Sequence, residues 1–268
     1  KAMSACNSVN HCVTCHFKRP PANKNMFHFD KNFGLFIGKL TTNEFHKHYA
    51  LQISVCRNDL LKLTINGNKE QTRNGFYISS NVDHKLTSQE TQLTILINPL
   101  SSLGHYLYLN FGQIQTANIP EDLEQKLSES LTNLEKRKID FNEFCLSISE
   151  ILYQLKCSCE NDNHSKDDRI IKALEILDTN FEKIYSLEEL ADLCFLSPSR
   201  FLHLFKEKTG LNFRRYQLWN KIVKSLPHLI KNSITDTAYT FGFTDSSHYT
   251  RTFKETFGVN PKFIFQKD

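Results

Sequence analysis

The feature that most constrains this chain is an internal repeat near its C-terminal end. The segment FKEKTGLN at residues 205–212 recurs as FKETFGVN at residues 253–260, at a constant offset of 48. Self-similarity at a fixed spacing indicates that one structural unit occurs twice. An aromatic residue stands four positions before each copy, Phe201 and Tyr249. In a helix this spacing places two rings on one face in both copies.

Each copy is preceded by a second matched segment that has the pattern of a helix start. Ser186 and Ser233 are followed three residues later by an acid, Glu189 and Asp236. The serine hydroxyl can accept a hydrogen bond from a backbone N–H of the first turn, and the acid favours the positive helix end. A short capped helix, a tight turn and a second helix form a helix-turn-helix unit, whose second helix enters the major groove. Because the offset here is 47 rather than 48, we predict two units with one turn a residue longer.

The aromatic spacing also predicts which side of each second helix faces outward. Phe201 and Phe205 share the inner face in the first copy, as Tyr249 and Phe253 do in the second. The opposite faces carry hydroxyl, imidazole, guanidinium and ammonium groups, which contact base edges and phosphates. Leu202 suits either a thymine methyl or partial burial. The predicted DNA-binding residues are Ser199, Arg200, Leu202, His203, Lys206, Ser246, Ser247, Thr250, Arg251 and Lys254.

The charge of this region agrees with a polyanionic partner. Between Arg200 and Lys262, Lys and Arg exceed Asp and Glu by eleven to four, while the whole chain carries a net charge of only +4. A local basic excess is typical of nucleic-acid-binding domains. An ordinary solvated basic face is the alternative.

Residues 186–265 resemble the DNA-binding domain of AraC/XylS regulators. The match is carried by SLEELADLCFLSPSRFLHLFKEKTGLNFRRY and ITDTAYTFGFTDSSHYTRTFKETFGVNPKFI. The second segment contains the family's pattern GF-x-D-x-S-x-(aromatic)-x-R-x-FK-x-x-FG-x-x-P, from Gly242 to Pro261. The resemblance implies a linking helix near residues 213–231 and two recognition helices in successive major grooves.

The linking helix departs from the family pattern at three positions. Lys221 and Ser225 stand where the family usually carries Arg and Ala. Pro227 lies within the same helix, where its missing N–H should kink the helix. We therefore expect the spacing of the two recognition helices to be less regular than in the family.

The N-terminal part of the chain has a different pattern. From Leu35 to about Phe111, short apolar runs are separated by turn signals such as Asn66-Gly67, where positive φ is tolerated. The predicted strands are residues 35–37, 51–56, 60–65, 76–78, 93–97 and 106–111. The resemblance implies that this region is the family's cupin-like β-barrel.

Two amphipathic helices are predicted to follow the strands. Leu123, Leu127, Leu131 and Leu134 share one face of the first, and residues 141–155 form the second. The resemblance implies that this pair is a dimerisation element, and the leucine face is a candidate for pairing across a homodimer. Packing of this face on its own barrel is the alternative.

Together these patterns predict an α+β chain in which a cupin-like β-barrel with a two-helix dimerisation element precedes an all-α domain. The expected divisions are a cysteine-containing arm (1–25), an effector and dimerisation domain (26–157), a polar linker (158–168) and a double helix-turn-helix domain (169–268). No apolar run approaches bilayer length and no signal peptide is recognised. We therefore expect the chain to be cytoplasmic.

The cysteines permit several interpretations. Cys12-Val-Thr-Cys15-His16 has the form of a haem attachment site, but covalent haem attachment requires export. The arm cysteines could join those of the linker to hold Zn²⁺ through four thiolates, or the pairs could oxidise as a switch. We favour free thiols, no metal and no cofactor. The alternative metal ligands are Cys12, Cys15, Cys157 and Cys159, with Cys6 nearby.

A group of histidines in the strand region partly resembles the metal-binding arrangement of enzymatic cupins. His46, His48 and Gln52 fall close together, and His84 lies in a later hairpin. Neutral histidine is a good metal ligand, but Gln52 occupies the usual carboxylate position. We therefore expect these histidines to be solvent-exposed or core residues rather than ligands.

These observations predict a sequence-specific transcription regulator and not an enzyme. The expected activity is that of an activator that binds double-stranded DNA as a homodimer and recruits RNA polymerase, with no membrane partner. A small-molecule effector or a redox or metal signal would gate it through the N-terminal domain. One alternative is a DNA-repair protein that transfers methyl groups to cysteine, but the Pro-Cys-His pattern is missing. Another is a co-regulator that binds protein rather than DNA.

Overall fold

The computed structural model describes residues 25–57, 60–67, 70–112, 114–155, 157, 167–180 and 183–265. Within these ranges the protein consists of a strand-rich N-terminal region, three helices that cover it, and a helical C-terminal region. None of the helices in the described ranges combines the length and apolar character needed to cross a membrane.

The N-terminal region is built from eight strands, and every pair of neighbouring strands is antiparallel. The strands are β1 (Met26–Phe29), β2 (Phe33–Leu40), β3 (Leu51–Cys56), β4 (Leu61–Ile65), β5 (Gln71–Arg73), β6 (Gly75–Ile78), β7 (His84–Ile97) and β8 (Thr116–Ala117).

The long strand β7 organises the sheet. Its C-terminal half pairs with β2 on one side and β3 on the other, and its first residues pair with β4. The strand order of the sheet is β1-β2-β7-β3-β6-β8. Outside this order, β4 pairs with both β7 and β5. Because β7 belongs to both groups of strands, the sheet folds into two layers that enclose a core, as a barrel does.

Strand alternation divides this region into an apolar outer layer and a mixed interior. On β3, Leu51, Ile53 and Val55 pack with residues of the covering helices. The intervening Gln52 and Ser54 point to the opposite face, as the period of two requires. Both are buried, so the barrel interior contains polar side chains that must find partners within it.

Three helices cover the apolar layer: α1 (Ser102–Phe111), α2 (Glu121–Glu135) and α3 (Phe141–Tyr153). Leu123, Leu127 and Leu131 are at most 4% exposed, and Leu134 is partly buried in the same core. The four leucines therefore pack on the chain's own barrel and on α3, which corrects the prediction that this face pairs across a homodimer. Burial within the chain makes Leu123, Leu127 and Leu131 unavailable for pairing with a second copy.

The predicted strand at residues 106–111 is wrong, because this segment is the second half of α1. Ser101 caps the helix by accepting a hydrogen bond from the Gly104 backbone N–H at 3.0 Å. Leu103 and Leu107, four residues apart, are buried on one face. The aromatic alternation of the segment resembled a strand, but the cap and the four-residue spacing favour a helix.

The C-terminal region contains seven helices in its described residues. They are α4 (Asp168–Thr179), α5 (Leu187–Leu193), α6 (Pro198–Thr209), α7 (Phe213–Leu229), α8 (Ile234–Thr240), α9 (Ser246–Phe257) and α10 (Lys262–Phe265). One apolar cluster joins α4, α5, α6 and the start of α7, and a second joins the rest of α7 with α8 and α9. The linking helix α7 therefore belongs to both units. It continues through Pro227 and ends two residues later.

Candidate nucleic-acid interface and histidine cluster

The two helix-turn-helix units repeat each other in backbone detail. In the first turn the N–H of Leu196 donates to the carbonyl of Ala191 at 2.9 Å, and in the second that of Phe243 donates to Ala238 at 2.9 Å. Both alanines are fully buried, which lets the helices of each unit cross closely. The first turn spans residues 194–197 and the second 241–245. The predicted extra residue in one turn is therefore present in the second unit.

The two turns differ at the position that bends the chain back. Gly242 has φ 66°, and Phe195, its counterpart at an offset of 47, has φ 56°. A bulky side chain is strained in this left-handed region. The Phe195 ring is 84% exposed and lies 4.7 Å from the Lys172 ammonium. In the first unit, Phe195 therefore occupies a turn position that is usually taken by glycine.

The structure places the predicted DNA-binding residues on the solvent side of α6 and α9. Phe201, Phe205, Tyr249 and Phe253 are at most 2% exposed on the opposite side. Leu202 is 40% exposed and so remains available for an apolar contact. Eight of the ten predicted residues are exposed and two are half-buried. The exposed residues are Ser199, Arg200, Leu202, His203, Lys206, Ser247, Arg251 and Lys254, and the half-buried residues are Ser246 and Thr250.

Both recognition helices have capped N-termini. The Ser197 hydroxyl accepts from the Arg200 N–H at 3.4 Å. At α9 the Asp245 carboxylate accepts from the backbone N–H groups of Ser247 and His248, both at 2.8 Å. These hydrogen bonds hold the pKa of Asp245 below its ordinary value, because they stabilise the charged form. The caps fix the first turn of each helix, which is the part that contacts bases in helix-turn-helix proteins generally.

The linking helix holds the second unit through a buried hydrogen bond. The Tyr249 and Ser225 hydroxyl oxygens lie 2.8 Å apart, and the Ser225 hydroxyl donates to the Ile222 carbonyl at 2.7 Å. Tyr249 is therefore the donor to Ser225. Lys221 donates to the Gly242 carbonyl at 3.3 Å, and burial lowers its pKa. The departures from the family pattern at residues 221 and 225 therefore tie α7 to the second unit.

Residues 43–49, which we name the docking segment, connect the barrel to the C-terminal ends of both recognition helices. The Glu44 N–H donates to the Gly258 carbonyl at 2.9 Å, and the Glu44 carboxylate lies 2.8 Å from the Lys254 ammonium. The buried Tyr49 hydroxyl donates to the Thr209 carbonyl at 2.6 Å. One short segment of the N-terminal region therefore contacts both α6 and α9.

Trp219 of the linking helix lies beside this junction. Its ring centroid is 6.2 Å from that of Tyr49 and 6.3 Å from that of His48. It is also 6.4 Å from the Phe257 ring at the end of α9. Because the chain contains a single tryptophan, its fluorescence reports on the surroundings of Trp219, which are this junction and the adjoining core of the second unit.

Comparison with known proteins identifies the C-terminal region. A family model described as a helix-turn-helix domain matches residues 190–267. The HTH-type transcriptional activator RhaS of Yersinia pestis is 32% identical over 117 residues, which are 42% of this chain and 42% of RhaS. RhaS of Yersinia pseudotuberculosis matches to the same extent. Residues 190–267 therefore form a helix-turn-helix domain of the AraC/XylS type. The match spans less than half of the length of these relatives.

Solved structures extend the likeness to both regions of the chain at the level of the fold. ToxT from Vibrio cholerae O395 has a TM-score of 0.57 at 16% identity, and the alignment covers 88% of this chain and 98% of ToxT. A structure of unsaturated fatty acid bound ToxT from strain SCE256 has a TM-score of 0.55 at 17% identity, over 90% of this chain and 97% of ToxT. The fold class predicted from the sequence is confirmed.

The structure brings together three histidines that the sequence separates. His46 and His84 exchange both backbone hydrogen bonds, at 3.0 and 2.9 Å, and their ring centroids are 4.3 Å apart. The His48 ring lies 5.1 Å from that of His84. Each histidine offers one ring nitrogen within 4.8 Å of the others. We name these three residues the histidine cluster.

The histidine cluster is buried and uncharged. His46, His48 and His84 are 6%, 4% and 0% exposed. Burial lowers the pKa of all three, that of His46 to about 3. The expectation that these histidines are core residues therefore agrees with their burial. These histidines were grouped from the sequence only by their likeness to the cupin arrangement, because the backbone pairing between His46 and His84 is an isolated bridge outside the named strands.

The predicted cysteine site falls mostly outside the described residues. Cys6, Cys12, Cys15 and Cys159 all lie there. Cys157 is described and half-buried, with its sulfur 3.6 Å from the Ser102 hydroxyl. The zinc and redox interpretations of these cysteines stay predictions.

Proposed function

We propose that this chain is a transcription activator that binds specific sequences in double-stranded DNA. The observation that carries the proposal is the duplicated unit in which a capped helix buries its aromatic face and exposes a polar and basic one. Arg and Lys on such a face contact bases and phosphates, and hydroxyl groups contact either. The related RhaS proteins are named as activators, which supports this sign of regulation.

Arg251 and Lys206 are proposed to have different roles. Arg251 is exposed near the middle of α9, where a guanidinium can bind a guanine edge with two hydrogen bonds. Lys206 is exposed in the last turn of α6 and suits a phosphate contact. Lys206 is a cleaner probe of phosphate contacts than Lys254, because Lys254 contacts Glu44.

A binding experiment on the full chain distinguishes these roles. The preferred duplex is first selected from a random library, and affinities for this duplex and for single-base variants are then measured over a range of salt concentrations. Arg251→Ala should cost about 1–3 kcal/mol in specific binding and relax the preference at one base pair. Lys206→Ala should weaken binding to all duplexes and reduce the salt slope by about 1.

The matched control is Lys126→Ala. Lys126 is also an exposed lysine, but it lies on α2 and pairs with Asp122. It should leave both affinity and salt slope unchanged. If Arg251→Ala and Lys206→Ala behave like this control, the assigned recognition faces are wrong.

We propose that the N-terminal region regulates DNA binding as part of a homodimer that contacts RNA polymerase, and that a small-molecule effector sets its state. The docking segment supports this proposal, because it connects the barrel directly to both recognition helices. The ToxT structure with a bound unsaturated fatty acid supports an effector site in this fold. Transcription from a promoter by purified RNA polymerase, measured with and without an unsaturated fatty acid, tests this proposal.

A further inference from the structure

We propose that His46, His48 and His84 bind a divalent transition-metal ion at the junction between the barrel and the DNA-binding domain. The proposal concerns metal binding and does not depend on the proposed DNA-binding function. Three observations carry it: the orientation of the rings, an unsatisfied buried nitrogen, and the position of a fourth oxygen.

The backbone orients all three rings in the same way. The Nδ1 atoms of His46, His48 and His84 lie 2.9 Å from the backbone carbonyls of Glu44, Ala50 and Val82 respectively. A neutral ring that donates through Nδ1–H keeps its lone pair on Nε2. Metal-binding histidines have this arrangement, in which an outer carbonyl fixes the tautomer and the ring plane. Each histidine is therefore held in the form that ligates through Nε2.

The cluster contains a nitrogen with no hydrogen-bond donor to satisfy it. Nε2 of the fully buried His84 has no partner among the described residues. A buried acceptor without a partner destabilises the folded chain. Neutral His46 and His48 cannot relieve this cost through Nε2, because their ring protons are committed to backbone carbonyls. A metal ion would satisfy the His84 lone pair.

Gln52 supplies an oxygen at the distance expected of a fourth ligand. Its Oε1 lies 2.9 Å from His48 Nε2, so two lone pairs face each other when His48 is neutral. Two ligand atoms at a right angle around a metal, each about 2.0–2.1 Å from it, are separated by about 2.9 Å. In the metal-free chain the Gln52 amide can rotate to donate to His48, but that rotation leaves His84 Nε2 unsatisfied.

The chemistry of this donor set selects the class of ion. Three imidazoles and one amide oxygen suit Zn²⁺, Co²⁺ and Ni²⁺ rather than Ca²⁺ or Mg²⁺, which prefer all-oxygen sites. Ring nitrogens within 4.8 Å of one another need to close by roughly 2 Å to reach the spacing of 2.9 Å that His48 Nε2 and Gln52 Oε1 already have.

The location of the site gives metal binding a structural consequence. His46 and His48 belong to the docking segment, whereas His84 begins β7 of the barrel. A shared ion would fix the docking segment to the barrel while its other contacts hold Gly258 and Thr209. A ligand that binds only the folded arrangement stabilises it by mass action. We therefore expect metal to raise the Tm of the full chain.

Cobalt titration of the metal-free full chain tests the proposal. We expect one Co²⁺ per chain, visible d–d absorption without the charge-transfer band that thiolate ligands produce, and quenching of Trp219, whose ring is 6.3 Å from that of His48. Zn²⁺ should displace the Co²⁺ and raise the Tm. This spectrum separates the histidine cluster from a site built on Cys12, Cys15 or Cys157.

Two variants and a control make the test decisive. His84→Gln should weaken Co²⁺ binding by about 100-fold or more, since even outer-shell partners are worth 10–100-fold. Gln52→Glu supplies a carboxylate and should tighten binding, and its Tm should depend more strongly on metal. His203→Gln, at an exposed histidine of α6, should bind as the wild type does. The proposal is overturned by no Co²⁺ binding at micromolar protein, by a thiolate band, or by equal affinity in His84→Gln and wild type.

Discussion

The docking segment makes a quantitative prediction at two glycines that occupy equivalent positions of the repeat. Gly210 ends α6 and Gly258 ends α9, with φ 76° and 72°. A Cβ added at Gly210 meets no atom within 4 Å, whereas at Gly258 it falls 2.7 Å from the Glu44 carbonyl and 2.5 Å from His46 Nδ1. Replacement by alanine therefore causes the same backbone strain at both sites and a collision at only one.

The two costs can be separated. A non-glycine residue in the left-handed region costs roughly 1–2 kcal/mol, and Gly210→Ala should lose this amount of stability. Gly258→Ala loses the same amount and adds a clash of about 1–3 kcal/mol, the usual cost of overpacking. If the clash exceeds the free energy of docking, the docking segment separates from α9 instead. The added cost is therefore limited by the strength of docking.

Urea denaturation and Trp219 emission measure these effects in the full chain. Far-ultraviolet circular dichroism gives the free energy of unfolding, and the emission maximum reports on the environment of Trp219 before unfolding. Gly258→Ala should be less stable than Gly210→Ala, and its native emission should shift to the red. Gly210→Ala should keep the emission of the wild type.

Equal losses of stability, with unchanged Trp219 emission in both variants, would contradict this reasoning. Such a result would mean that the docking segment does not hold its position against α9 in solution. Since Gly210→Ala carries the same strain, a general loss of helix stability cannot imitate the expected difference.

Two other outcomes concern the second helix-turn-helix unit. Ser225→Ala leaves the buried Tyr249 hydroxyl without its acceptor and should cost about 1–3 kcal/mol, whereas Tyr249→Phe should cost less because Ser225 still donates to the Ile222 carbonyl. The double variant should lose less stability than the sum of the single losses, and strictly additive losses in urea denaturation would show that the bond is absent. Asp245 has a folded pKa below its ordinary 3.8, so its charge stabilises the fold above that pH, and this contribution is lost as the pH falls through the lowered value. Asp245→Asn keeps the cap, but its amide does not titrate. The Tm difference between this variant and the wild type should therefore shrink below pH 3.8. A Tm difference that stays constant down to the lowest pH measured would refute the assignment of a charged cap.

The DNA-binding domain could be predicted from the sequence because its determinants are local. The caps at Ser186 and Ser233, the aromatic spacing and the glycines at the helix ends all act within a few residues of the chain. Their recurrence at a fixed offset gave two independent instances of one pattern. The exposed faces of α6 and α9 followed from the same spacing.

The parts that sequence reasoning missed depend on contacts between distant residues. Leu127 and its neighbours form an amphipathic face, but only the tertiary structure shows that the barrel and α3 cover it. The likeness to cupins suggested that His84 belongs with His46 and His48, but the backbone bridge that pairs His84 with His46 spans 38 residues of chain and follows from no local pattern. The aromatic alternation after Ser101 resembled a strand because periodicity over six residues is a weak signal.

The docking segment also has a geometric consequence for how the protein meets DNA. Glu44 and Tyr49, which touch the ends of α9 and α6, are five residues apart, and an extended chain covers at most about 3.3–3.6 Å per residue. The docking segment therefore limits the distance between the C-terminal ends of α6 and α9. A single residue inserted or deleted within it would therefore conflict with the separation of α6 and α9 that the linking helix α7 sets. On the proposed function, this segment and α7 together limit the separation at which α6 and α9 can contact DNA.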